Sequence, residues 1–132
     1  MAEILYDSEI VTLSYDVNDQ LIEMVWKKNT HSDEYRRLFN KIIEFSENNR
    51  IRHVLSDMRK EGLVATEDVR WMDREVLKRA IEHKLEKIAL VIDDTIFTGV
   101  YSDVVKKKLD KSPVQVRVFM DMSNARAWLA GD

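Results

Sequence analysis

The sequence contains no cysteine, one proline and three glycines among 132 residues. Without cysteine there are no disulfides, no thiolate metal sites and no thiol catalysis. So little proline and glycine argues against a linker or a disordered chain. No apolar run reaches the roughly 20 residues that cross a bilayer, and MAEILYDSE has no basic segment followed by an apolar run. We therefore expect a soluble, cytoplasmic protein without integral membrane association.

An excess of one charge is missing as well. The 21 Lys and Arg residues nearly balance 24 Asp and Glu residues, for a net charge of −3. Because nucleic-acid binders normally carry a basic excess, we expect no nucleic-acid partner. A chain of this length can bury roughly two-thirds of its unfolded surface without help from a metal. The composition predicts one domain over residues 1–132, with no cofactor.

Apolar residues alternate with polar ones in two early segments, residues 10–16 and 21–27. The VNDQ between them contains Asn and Asp, which tolerate turn geometry. The two segments therefore predict an antiparallel hairpin.

Helical and extended patterns alternate along the rest of the chain. Helices are predicted from N-caps at Ser32, Thr66 and Ser123, with a short one around residues 100–109; strands are predicted at 51–58, 87–93 and 114–120. Because strand–helix–strand crossovers favour parallel neighbours, these segments predict an α/β fold with a single mixed sheet of about five strands. Gln115 and Arg117 place the last strand at a sheet edge.

Several segments resemble the SpoIIAA-like family, relatives of STAS domains. They are the two-strand start, HVLSDMR, KIALVIDD and the ending VRVFMDMSNARAWL. The resemblance implies a SpoIIAA-like superhelix of parallel β-α units after the antiparallel hairpin, with helices mainly on one face. It also implies a regulatory binding module, and the related label SEC14-like implies a small apolar ligand.

The junction "SDMRKEGLVATEDVRWM", residues 56–72, is the first candidate site. In STAS anti-sigma antagonists a serine at the matching helix start is phosphorylated, in an Asp-Ser pattern followed closely by Gly. Ala65-Thr66 stands there, so the hydroxyl is present, whereas the acid and the glycine are absent. A helix N-terminus favours a phosphate, but we favour Thr66 as a simple cap.

Charged residues follow the predicted third and fourth strands. Asp57 ends one, and Asp93 and Asp94 end the other. Ligands of parallel sheets bind at that edge, so the carboxylates could hold a hard cation or a phosphoryl group, although capping of loops is the preferred interpretation.

Basic residues of the junction have two interpretations as well. Arg59, Lys60, Arg70 and Arg74 could hold an anionic head group. We favour surface ion pairs with neighbouring acids, which contribute little energy.

Trp71 and Met72 are the most suggestive apolar pair of the junction. With Trp26 and Phe97 they could wall a pocket between the second helix and the sheet, although large aromatics are more often core residues. A cavity lined by Trp71, Met72 and Phe97 would favour a ligand site, and a close-packed junction would favour a protein contact.

The sequence shows no nucleophile–base set, and its three histidines have no metal-like spacing. We therefore expect a noncatalytic module rather than an enzyme. The leading hypothesis is contact with a protein partner or a second copy, as in a homodimer, through the junction or the polar sheet edge. The alternative is a small apolar or amphipathic ligand between the second helix and the sheet.

Overall fold

A computed structural model describes residues 2–93, 107 and 110–131. Its strands are β1 (Ala2–Asp7), β2 (Val11–Asp16), β3 (Leu21–Trp26), β4 (His53–Asp57), β5 (Lys87–Val91) and β6 (Gln115–Phe119). Its helices are α1 (Ser32–Ser46), α2 (Thr66–Trp71), a π-helical segment (Met72–Leu77), α3 (Lys78–Glu82) and α4 (Met122–Leu129). Apart from residue 107, the predicted helix around 100–109 lies outside these residues, as do Phe97 and Asp94. None of the described helices is long and apolar enough to span a membrane.

The strands form one mixed sheet in the order β1-β2-β3-β4-β5-β6. β1, β2 and β3 pair antiparallel, and β3 to β6 pair parallel. The predicted hairpin is β2–β3, where Asp16 pairs with Leu21 and Gln20 closes the turn with φ of 53°. The predicted parallel run and the edge position of β6 are confirmed.

The sheet has six strands rather than the expected five, because β1 was not predicted. Its AEILYD segment does not alternate strictly, and Ile4 is 64% exposed. β1 is held instead by pairing with β2 and by the Tyr6 hydroxyl, which donates to Glu34 of α1 at 2.7 Å. Strand pairing and a single side-chain hydrogen bond do not produce a periodic pattern of apolar residues, so the sequence gives no signal for β1.

Two clusters of buried side chains cover the two faces of the sheet. On one face, Ile22, Met24 and Trp26 of β3 pack against α1 and the π-helical segment. On the other face, a smaller cluster joins β4 and β5 to α4, and its buried members are Leu55, Ala89, Val91, Ala125 and Leu129. Because only α4 covers this second face among the described helices, the expectation of helices mainly on one face is confirmed.

The three predicted N-caps are wrong. α1 begins after His31 and α2 after Ala65, and neither residue makes a side-chain cap hydrogen bond. The Ser32 hydroxyl donates instead to the Asp68 carboxylate at 2.5 Å, so the two helix starts are joined to each other. α4 is capped by Asp121, two residues before Ser123, and Asp121 accepts from the backbone N–H of Asn124.

Replacement of Thr66 by alanine should therefore leave the free energy of unfolding within about 0.5 kcal/mol of its original value. A working cap would cost about 1 kcal/mol instead. Thr66 is exposed and lies inside the first turn of α2, where its hydroxyl caps nothing. Urea unfolding of the two proteins measures the difference. A decrease in the free energy of unfolding of about 1 kcal/mol or more would show that Thr66 does cap α2.

Candidate functional site

The carboxyl ends of the parallel strands meet at one rim, as the sequence predicted. The Met58 N–H, just after β4, donates to the Val91 carbonyl at the end of β5 at 2.8 Å. Asp57 and Asp93 therefore lie on neighbouring strand ends.

At this rim the Asp57 carboxylate forms an ion pair with the Arg59 guanidinium. The Asp57 carboxylate is 6% exposed and accepts from Arg59 Nε at 2.9 Å and from Nη2 at 2.7 Å. Burial alone would raise the pKa of Asp57, but these hydrogen bonds hold it below its ordinary value. Asp57 first, and then Asp121 and Asp93, raise the pKa of Arg59. Within the described residues no group of three or more His, Asp or Glu side chains is placed to hold a metal ion.

The other sequence candidates at the start of α2 do not converge on a site. Thr66 and Arg70 are exposed. Trp71 is half-buried at the edge of the core, and the Arg36 guanidinium stacks over its ring at 5.0 Å. Trp71 therefore supports α1, and it does not line the apolar cavity between the helices and the sheet.

The loop between β4 and α2 is anchored by buried polar residues. The Glu61 carbonyl accepts from the Thr30 N–H at 2.8 Å, and the Glu61 side chain is 3% exposed. Gly62 has φ of +74°, which favours glycine, and a Cβ at this position would also lie 2.7 Å from the end of the Asn29 side chain. Burial raises the pKa of Glu61 to about 8. The junction is closely packed on its inner side.

An apolar cavity of about 370 Å³ lies between α1, the π-helical segment, α3 and the sheet. Its volume falls in the range of about 300–1,000 Å³ that small-molecule sites occupy. Its wall is mainly aliphatic, and representative lining residues are Phe39, Ile42, Val54, Val76, Leu77 and Ile88.

The cavity opens at the amino-terminal rim of the parallel strands, opposite the junction. Its exposed lining residues belong to the loop after α1 and to the end of α3; they are Glu47, Asn48, Asn49, Arg79 and His83. Both segments lead into strands, β4 and β5. Of the three residues that could have lined a pocket, Met72 lines the cavity and Trp71 does not, whereas Phe97 falls outside the described residues.

Arg50 builds the rim of this opening. Its guanidinium donates to the carbonyls of Ile51 at 2.6 Å, His83 at 2.9 Å and Lys84 at 2.7 Å. It thereby ties the loop after α1 to the turn after α3, where Lys84 has φ of 68°. The Tyr15 hydroxyl donates to the Arg50 carbonyl at 2.6 Å and fixes the same loop to β2.

The floor of the cavity contains one polar side chain from the sheet. Ser56 of β4 is 4% exposed and lies in register between Met24 and Leu90, which also line the cavity. Its hydroxyl has no hydrogen-bond partner in the part of the chain that the structure describes. A ligand or a water molecule would be needed to satisfy it.

The π-helical segment forms part of the cavity wall through Met72, Val76 and Leu77. Such wide turns are rare and occur frequently at functional sites. Apolar spacing in the sequence predicts an ordinary helix here, so the widened turn had no sequence signal.

The chain belongs to the SpoIIAA-like family, whose sequence model matches residues 21–130. It is similar to the crystal structure of an uncharacterized protein from the DUF3478 family with a SpoIIAA-like fold from Shewanella loihica PV-4. The TM-score is 0.55 at 13% identity, over 98% of this chain and 92% of that chain, which shows a shared fold. No functionally curated protein matches the sequence significantly.

Proposed function

We propose that this SpoIIAA-like, STAS-like domain is a noncatalytic module that binds a small apolar or amphipathic ligand in the cavity between the helices and the sheet. The observation that carries the proposal is the apolar cavity of about 370 Å³, open at one end to polar residues. An apolar body with few, localised polar groups is the usual character of a small-molecule site.

The position of the cavity also supports binding. It lies on the face of the sheet that carries the larger buried cluster, between the sheet and the helices that cover that face. Because the cavity is open at one end, its apolar wall is in contact with water, which is unfavourable. A ligand with an apolar body would remove that wall from water and stabilise the folded state by mass action.

The cavity should bind N-phenylnaphthylamine, a neutral apolar fluorophore, with an increase of its emission. Replacement of Ala80, a half-buried lining residue of α3, by phenylalanine fills the space and should abolish that signal. Ala130→Phe, at an exposed position after α4, is the matched control and should leave the signal unchanged.

Thermal unfolding of each variant confirms that it folds. Equal fluorescence from both variants would place the probe outside the cavity and would refute the proposal. Failure of the unsubstituted protein to bind the probe would also refute the proposal.

A second candidate function is protein contact at the junction, and Leu63 is the observation that favours it. Leu63 is 81% exposed in the loop between β4 and α2. A single exposed apolar side chain is ordinary on a protein surface, so the support comes from the anchored loop, which holds Leu63 in a fixed position where a partner could contact it. If the partner is a second copy, native mass spectrometry should detect a dimer that Leu63→Asp converts to monomer. A monomer at all concentrations would exclude self-association through this loop.

A further inference from the structure

Polar groups occur at two separate places along the cavity, the mouth and the floor. Between them the wall is aliphatic and includes Val54 and Ile88. A ligand that satisfies the whole surface must therefore have an apolar body with a polar group at each of two positions. The chemistry of the two places is different, and each restricts the ligand in its own way.

The mouth favours an anion. Its lining residues carry two guanidinium groups, Arg50 and Arg79, against one carboxylate, Glu47. Arg50 is occupied by three carbonyls and lies 3.7 Å from Glu86. The Arg79 and Glu47 side chains make no hydrogen bond or ion pair within the described ranges. The preference for an anion therefore rests on the excess of two guanidinium groups over one carboxylate, and Arg79 is the guanidinium available to a ligand.

The floor accepts only an uncharged polar group. Burying an ionised carboxylate beside a single hydroxyl would cost far more than one hydrogen bond returns. A hydroxyl or carbonyl on the ligand, by contrast, would satisfy Ser56. A ligand that displaces water from Ser56 without replacing its hydrogen bond would lose affinity.

We infer that the ligand is an anionic amphiphile whose acidic group lies at the mouth beside Arg79 and whose apolar chain carries an uncharged polar group that hydrogen-bonds Ser56. This inference rests on the proposed function, because it specifies the ligand class of the same cavity. A hydroxylated or oxidised fatty acid has this chemistry.

The charge preference is tested by displacement of N-phenylnaphthylamine with laurate, dodecanol and dodecylammonium, which share one chain length. Laurate should bind up to about fivefold more tightly than dodecanol, as expected for an exposed ion pair, and dodecylammonium should bind most weakly. Arg79→Gln should remove the advantage of laurate. Arg70→Gln, an exposed arginine of α2 outside the cavity lining, is the matched control and should retain it.

The hydroxyl preference is tested with hydroxylaurates that differ in the position of the hydroxyl group. One or two positions should bind more tightly than laurate, and Ser56→Ala should weaken those isomers by about fivefold, the value of a neutral hydrogen bond. The same variant should bind plain laurate at least as well as the original protein. This difference between ligands separates recognition by Ser56 from a general effect on folding.

The outcomes distinguish the two proposals. If the neutral probe binds but laurate and dodecylammonium displace it equally well, the assignment of an anion is wrong and the cavity remains a binding site. If Ser56→Ala weakens all laurates alike, or no hydroxylaurate exceeds laurate, the assignment of Ser56 is wrong. If the neutral probe does not bind at all, the proposed function itself fails.

Discussion

Glu61→Gln should stabilise the protein by about 3 kcal/mol at pH 7. Glu61 is buried in the loop between β4 and α2, and burial is the dominant influence on its carboxyl group. Burial raises its pKa from 4.5 to about 8. At pH 7 the unfolded chain ionises this carboxyl and the folded chain protonates it, so folding includes the cost of adding that proton. Glutamine has a similar shape and no such cost.

The pH dependence has a definite sign. A raised carboxyl pKa means that the folded state holds a proton that the unfolded state has lost. The contribution of Glu61 is therefore favourable below pH 4.5 and is lost at about 1.4 kcal/mol per pH unit as the pH rises towards 8. Glu61→Gln removes this slope, so the difference between the two proteins should widen from pH 5 to pH 8.

Urea unfolding between pH 5 and pH 8 measures this difference. Glu75→Gln, at an exposed position in the π-helical segment, is the control and should follow the original protein. Parallel stability curves for Glu61→Gln and the original protein would show that Glu61 is already ionised in the folded state.

Asp68→Ala should lower the free energy of unfolding by about 2–3 kcal/mol, the value of charge-assisted hydrogen bonds. Asp68 is 3% exposed in the first turn of α2 and accepts from Ser32 Oγ at 2.5 Å and Arg36 Nε at 2.8 Å. These contacts join the starts of α1 and α2. They also hold Arg36 over the ring of Trp71.

Glu67→Ala is the matched control for Asp68→Ala, because Glu67 lies in the same turn and is exposed. Both variants lose one negative charge near the helix N-terminus, worth about 0.3–1 kcal/mol. The excess loss in Asp68→Ala therefore measures the contacts with Ser32 and Arg36. Equal losses in urea unfolding would show that these contacts contribute nothing.

The order of strands and helices could be predicted where one face of an element is buried. Val11, Leu13 and Tyr15 alternate because β2 covers the core with one face only, and this period is visible in the sequence. Pro113 and the alternating polar residues of β6 indicated an edge in the same way. β1 could not be found by this criterion, because its side chains are largely exposed.

The wrong N-caps do not share one cause. Ser32 and Thr66 have the residue type and position of N-caps, but Asp68, which lies close to Ser32 only in the folded chain, takes the Ser32 hydroxyl. Asp121 lies two residues before Ser123, the predicted cap, and it is an equally good cap by type. Residue type indicated that a helix begins nearby, but it could not choose between neighbouring candidates or reveal the contact between Ser32 and Asp68.

The candidate cavity was predicted only as a space between the second helix and the sheet. Trp71 was a candidate because of its large apolar side chain. Successive side chains on a helix are rotated by about 100°, so Met72 lines the cavity and Trp71 does not. Binding sites of parallel sheets usually lie at the carboxyl ends of the strands. For this reason Asp57 and Asp93, which follow two predicted strands, were candidate site residues. A void at the opposite end depends on how helices and sheet pack, which no local pattern encodes.

Ser56 had a weak signal of its own. It is a small polar residue inside an apolar strand segment, HVLSD, at a position that faces the helices. Arg50 had none, because its carbonyl partners at His83 and Lys84 are identifiable only from the fold.

The most direct test of the cavity as the binding site is the nuclear Overhauser effect between bound laurate and isotope-labelled methionine methyl groups. Met24 and Met72 line the cavity, Met58 lies at the junction rim and Met120 is 56% exposed after β6. We expect contacts from the laurate chain to Met24 and Met72 alone. Contacts to Met58 or Met120 without contacts to Met24 and Met72 would place the ligand elsewhere and would contradict the account.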